Sequence, residues 1–222
     1  MPAPALLPRP TALLLIAAIA CCFAGNHVAA RLAFDDGAGV LTAILCRAGT
    51  ALLVLGALVA WRRERLALPA GTGGWQLLLG LLLAVQSLCL YSAVARIPVA
   101  LALLVANTFP VLLALLNWAT GRPRPTRRAC LVMGIVLAGL LLALDVPARL
   151  AEARGGGSGI AWGAGVAFAL TAATVFSFSL WITDRRLATL PGTVRSFYAM
   201  LSVCVSMAIA GAAGAVPGGL AW

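Results

Sequence analysis

The chain contains no lysine, a single histidine (His27), two tyrosines and only six acidic residues in 222 positions. Each shortage closes a class of function. Without lysine there is no amine to hold retinal, so a seven-helix photoreceptor is excluded. One histidine does not make an H-E-x-x-H motif, and "GGGSGI" does not supply the G-x-S-x-G of a nucleophile elbow. The six cysteines (Cys21, Cys22, Cys46, Cys89, Cys130 and Cys204) contain no C-x-x-C pair, and one histidine does not complete a metal cluster with them. They read as small apolar packing residues. No catalytic residue, cofactor or metal site is expected, and the chain does not read as an enzyme.

Charge is scarce too. Charged residues make up 10% of the chain and hydrophobic ones 63%, where soluble domains have about 25% and about 45–50%. With a mean hydropathy of +1.04, lipid has to cover much of the surface. The fold class is therefore all-α, a polytopic integral membrane protein. A span needs roughly 20 apolar residues, and seven runs qualify: 11–31, 39–61, 75–95, 98–119, 127–146, 160–183 and 195–216. The longest connections, "RRERLALPAGTGG" and "ARLAEARGGGSG", are marked as loops by Gly and Pro. The first run, with Arg9 before it, Val28-Ala29-Ala30 near its end and a faint lipoprotein box in "AIACC", has some look of a signal peptide. Six further spans make an uncleaved first helix the simpler reading.

A net charge of +10 would point a soluble domain toward nucleic acid. Here the sixteen positive charges are all arginine and most lie in short loops, which is a signal of membrane orientation. With the N-terminus inside, the inner segments hold Arg9, Arg62, Arg63, Arg65, Arg122, Arg124, Arg127, Arg128, Arg185, Arg186 and Arg195. The outer ones hold Arg31, Arg96, Arg149 and Arg154. The expectation is a multi-pass protein of the cell's inner (plasma) membrane with a cytoplasmic N-terminus. Its partners are the lipid bilayer and a small-molecule substrate, with no nucleic acid.

Polar side chains inside spans are costly and call for a role. Arg47 lies about 12 Å into the second span, where it either anchors an anionic group on a substrate or pairs structurally. Asn26 and His27 fall toward the outer end of the first span. His27 is the only side chain in a span that ordinarily titrates near neutrality, which makes it a possible proton site, although a lone histidine near a helix end more often sits at the interface. Gln86 and Asn107 fall near the middle of spans three and four. They either bond each other across that antiparallel pair or face a substrate path. Tyr91 adds a ring and a hydroxyl near them. Pro110 removes the bond its amide would donate to Ala106, so it kinks the fourth span beside Asn107 and is the hinge candidate. Asn117 and Trp118 read as interfacial anchors, and Ser177 and Ser179 as side chains bonding back to their own helix. The predicted spans contain no Asp or Glu apart from Asp145 at the very end of 127–146, so proton coupling through a carboxylate in mid-membrane finds no residue, whereas exchange or facilitated diffusion needs none.

Five helices form an odd-numbered unit, so a second unit starts from the opposite side of the membrane and is automatically inverted. The expected division is a first repeat over 1–146, a Gly-rich linker over 147–159 and the start of a second repeat over 160–222. The sixth span, "WGAGVAFALTAATVFSFSLWITDRRL", has the small-residue start and basic exit of a first helix.

Several segments together resemble a known family. They are Tyr91-Ser92-Ala93, the Arg96-Ile97-Pro98 break, the small-residue helix with Pro110, and Gly121-Arg122-Pro123 before the fifth span. Phe23-Ala24-Gly25-Asn26 and Cys46-Arg47-Ala48 belong to the same set. From about Leu13 to Met207 the chain resembles the drug/metabolite transporter superfamily, specifically its EamA-type permeases. The resemblance implies two inverted five-helix repeats around a cavity. It also implies transport of small metabolites or drugs, with export as the direction. The candidate substrate-binding residues, read from the polar side chains of the spans, are Asn26, Arg47, Gln86, Tyr91 and Asn107. Two features depart from the pattern. Arg122 stands where the family often has an acidic residue, and the chain shows seven spans where ten are usual. The missing second wall would call for a homo-oligomer or a partner chain. The competing readings are a membrane-embedded non-transport protein (receptor-like or an enzyme accessory) and a non-functional fragment lacking helices eight to ten.

Overall fold

A computed structural model describes residues 8–122, 126–144 and 158–214. The described secondary structure is entirely helical: α1 (Arg9–Asp35), α2 (Val40–Arg62), α3 (Gly73–Val94), α4 (Val99–Ala106), α5 (Phe109–Ala119), α6 (Arg127–Leu144), α7 (Ser158–Arg186) and α8 (Gly192–Ala212). Because α4 and α5 are consecutive halves of one rod, these segments make seven rods, in the order expected from hydropathy. Six of those described are long and apolar enough to cross a membrane. The protein is a polytopic, all-helical membrane protein.

The fourth rod departs from expectation by breaking fully where only a kink was expected. Pro110 has no N–H to offer the carbonyl of Ala106. The last regular bond of α4 runs from Asn107 N to Leu103 O at 2.9 Å, and the backbone then tightens, with Thr108 N bonding Val105 O three residues back at 3.1 Å. The Thr108 hydroxyl donates to the same Val105 carbonyl at 2.8 Å. Helix α5 then restarts with Pro110 in its first turn, where a missing N–H costs nothing. The single hydroxyl proton of Ser177 on α7 is shared between Phe109 O at 3.0 Å and Ala173 O in its own helix at 2.8 Å. The expected back-bond is present, and a second one ties α7 to the break.

Helix α3 is the centre of the bundle. It packs along α7 and α8, α2 packs on α8, and α4 and α5 lie on α7. Small residues permit these approaches. A Cβ built on Gly80 would fall inside contact distance of Ser202, and one on Gly165 would sit 2.5 Å from Ile97 Cγ2. Leu41, Ile44, Ala84, Tyr91, Val203 and Met207 form the core between α2, α3 and α8.

Polar bonds tie off both ends. At one end Gln76 Nε2 donates to Arg195 O at 3.0 Å, the Tyr198 hydroxyl to Leu66 O at 2.7 Å, and Trp181 Nε1 to Thr120 Oγ1 at 3.1 Å. Arg122 pairs there with Asp184. The starts of α3 and α8 and the ends of α2, α5 and α7 share this face, which makes it the arginine-rich one. At the other end Arg31 Nη1 donates to the last carbonyls of α3, Val94 O at 3.0 Å and Ala95 O at 3.1 Å, groups that have no partner within the helix.

Candidate functional site

Tyr91 is the largest fully buried side chain, 1% exposed, and the candidate site is built around it. One helical turn earlier on the same face of α3 lies Ser87. Arg47 reaches across from α2, donating through Nη2 to Ser87 Oγ at 2.8 Å and lying 5.6 Å from the centroid of the Tyr91 ring. From α1, His27 stacks obliquely on Tyr91 at 5.2 Å, with Phe23 edge-on behind it at 4.8 Å. Asn26, next along α1, donates its amide to the Tyr91 hydroxyl at 2.9 Å.

These side chains border a cavity of about 190 Å³. Gln86, Ser87 and Tyr91 come from α3, Arg47 from α2 and Phe23 and His27 from α1. Asn107 sits at the break, and Phe176 of α7 and Met200 of α8 complete the wall. A second space of about 670 Å³ lies between α1 and α2, lined by Asn26, Cys46, Thr50 and several alanines. Arg47 and Tyr91 border both spaces and form the partition between them. A third space, of about 470 Å³, lies between α5 and α6 and is bordered by Asn107 and Pro110.

The expected site residues therefore converge, with distinctions. Arg47, Gln86, Tyr91, Asn107 and His27 line the central cavity. Asn26 lines the neighbouring groove and touches the cavity only through Tyr91. Pro110 lines the α5–α6 space and acts on the cavity through the helix break. Two expectations, on His27 and Asn117, are corrected, and one of the two alternatives for Gln86 and Asn107 drops out. His27 is not interfacial: it is 1% exposed, held between Phe23 and Tyr91, because α1 turns this face onto α3. Asn107 does not bond Gln86: its Nδ2 donates instead to the Leu103 carbonyl one turn back in its own rod, at 2.8 Å. Trp118 is exposed as an interfacial anchor would be, whereas Asn117 is half-buried and its amide oxygen is buried without a partner.

Sequence reasoning missed Ser87, Phe23, Phe176 and Met200. Ser87 left a trace as a hydroxyl four residues before Tyr91 and beside Gln86, and Phe23 as the start of the Phe23-Ala24-Gly25-Asn26 segment. The other two look like ordinary lipid-facing or core residues until the helices are assembled.

The site carries one formal charge. The ion pairs among the described residues are Arg31–Asp35, Arg62–Glu64 and Arg122–Asp184, all near helix ends, so Arg47 has no carboxylate partner among them. Its Nε and the Nδ1 of His27 are buried without a hydrogen-bond partner.

A bundle of membrane-crossing helices around a partly polar cavity, walled on one side by a helix broken near its middle, is the arrangement of a membrane transporter. Residues 10–144, which run from α1 to the end of α6, match the family model described as the EamA-like transporter family, and the chain belongs to that family. Comparison with curated proteins and with solved structures finds no match.

Proposed function

We propose that the protein carries small metabolites or drugs outward across the cytoplasmic membrane, holding them in the central cavity and exposing that cavity to each face in turn. One observation carries this reading. Polar residues far apart in sequence, Arg47, Gln86, Tyr91 and Asn107, gather on one cavity inside apolar helices, next to a rod interrupted at Asn107–Thr108. Burying polar atoms in a lipid-embedded bundle is unfavourable unless they are used. Substrate contact falls to Arg47, Gln86, Tyr91 and Asn107, with Asn26 positioning Tyr91. His27 is the candidate for proton movement and Pro110 sets the hinge. The arginine-rich face supports a cytoplasmic N-terminus. The family match and the inverted geometry of odd-numbered units support a first repeat over 1–146 and the opening of a second over 160–222.

The test is metabolite profiling of cells expressing the protein or its Arg47→Gln variant at equal membrane levels, with a periplasmic-activity reporter at the N-terminus in a parallel strain. The expected result is extracellular enrichment of at least one small solute, reduced at least ten-fold by Arg47→Gln, with the reporter silent. Identical medium profiles for the protein, the variant and an empty vector would remove the export reading, and an active reporter would reverse the orientation.

A further inference from the structure

We infer that the cavity selects a monocarboxylate with an apolar body about the size of a single ring, in preference to a neutral molecule of the same shape or a zwitterion carrying the same ring. The inference deepens the transport reading, and the chemistry rests on three features of the cavity.

The first is an uncompensated cation. Arg47 contributes the only formal charge on the cavity wall, and no carboxylate among the described residues neutralises it. Its hydrogen bond is to neutral Ser87, and Nε has no partner. A guanidinium away from water is unfavourable unless paired, and the Tyr91 face at 5.6 Å offsets only part of that. A carboxylate supplies the missing charge and fits the planar fork. Chain groups nearby can complete its shell: the Tyr91 hydroxyl accepts from Asn26 and keeps its own proton for donation.

The second is the lack of a negative counterpart. The described lining residues include no Asp or Glu. A zwitterion would bring its ammonium into a space whose other polar groups, Gln86, Asn107, Ser87 and His27, are neutral amides, a hydroxyl and an imidazole. Leaving that charge unpaired offsets what the carboxylate gains.

The third is size and surface. The apolar part of the wall includes Phe23, Leu83, Leu90, Leu103, Phe176 and Met200. A dry cavity of about 150 Å³ takes up benzene, so about 190 Å³ suits one ring with a carboxylate attached.

The experiment uses the purified full chain in detergent, reading thermal unfolding against concentration of benzoate, benzamide and phenylalanine. Benzoate is expected to raise the unfolding temperature, with benzamide and phenylalanine each needing at least ten-fold higher concentration for the same shift. Arg47→Gln is expected to lose the benzoate response and Arg47→Lys to keep part of it. The inference is overturned if benzoate gives no shift, if benzamide or phenylalanine matches benzoate, or if Arg47→Gln responds as the parent does. The three-ligand comparison on the parent protein decides even if Arg47→Gln fails to fold. Counterflow in proteoliposomes separates the two readings: charge-selective binding without flux removes transport alone, and flux without charge selectivity removes the substrate class alone.

Discussion

Helices α1 and α3 have nearly the same hydropathy, 2.0 and 2.1 over their most apolar windows, yet 6% of the first window and 56% of the second is buried inside the protein. Hydropathy is therefore silent on which rod is central. In water the more apolar helix goes inside. In lipid both solvents are apolar, and position is decided by how closely backbones approach and by where polar atoms find partners. Helix α3 has both qualifications. Gly80 lets α8 come close, and Gln76, Ser87 and Tyr91 all take part in hydrogen bonds to other helices. Helix α1 has Gly25, but nothing lies within 4 Å of a Cβ built there. Its attachments are His27 and Asn26 on Tyr91, and Arg31 on the end of α3.

The sharpest way to break this comparison is to enlarge the two glycines. Gly80→Leu drives a side chain into Ser202 and the α8 backbone, so α3 and α8 have to part. Overpacking of this kind costs about 1–3 kcal/mol and more where backbone blocks relief. We expect a fall in unfolding temperature of several degrees and poor recovery of monodisperse protein from membranes. Gly25→Leu is expected to leave both unchanged, because the new side chain meets lipid. Equal losses in the two variants would mean that α1 is packed as tightly as α3, contrary to the structure.

A smaller effect is expected at the break. Pro110→Ala restores the N–H that the Ala106 carbonyl lacks. Reforming that bond contributes about 1 kcal/mol and straightens the rod, at the expense of the contact from Ser177 to Phe109 O. Thermal stability should rise slightly or hold while substrate flux falls, with membrane level unchanged. Flux undiminished by the substitution would remove Pro110 from the hinge role and leave the break as architecture.

How much of this was legible in the sequence follows from the same physics. The seven rods were readable because the length and apolarity of a run are local properties. The polar residues of the site were readable because a polar atom in a long apolar run is conspicuous whichever way it faces. Partners were not readable. Nothing local says that Arg47 would meet Ser87, forty residues on, or that Asn26 would hold Tyr91. His27 was misread because its burial depends on the rotation of α1 against α3, which a single helix does not encode. Phe176 and Met200 were invisible for the converse reason: an apolar side chain among apolar side chains carries no signal until the cavity exists.

The smallest effect belongs to the arginine-rich face, where α5 meets α7. Arg122 occupies a position where the sequence comparison led us to expect an acid, and its partner in the fold is Asp184. Both side chains are about half exposed, at 46% and 56%, so water and salt screen the pair, and exposed pairs contribute about 0–1 kcal/mol. Neighbouring bonds also hold this corner: Trp181 Nε1 to Thr120 Oγ1, and Arg185 Nη2 to Thr120 O at 3.3 Å. Arg122→Asp alone places two carboxylates together and is expected to lower the unfolding temperature by a degree or two at low salt, the deficit shrinking as salt is raised. Combining it with Asp184→Arg restores opposite charges and should recover most of the loss. A double variant no better than the single one would show that the position of Arg122, at the exit of α5 after Gly121, matters for something other than this ion pair.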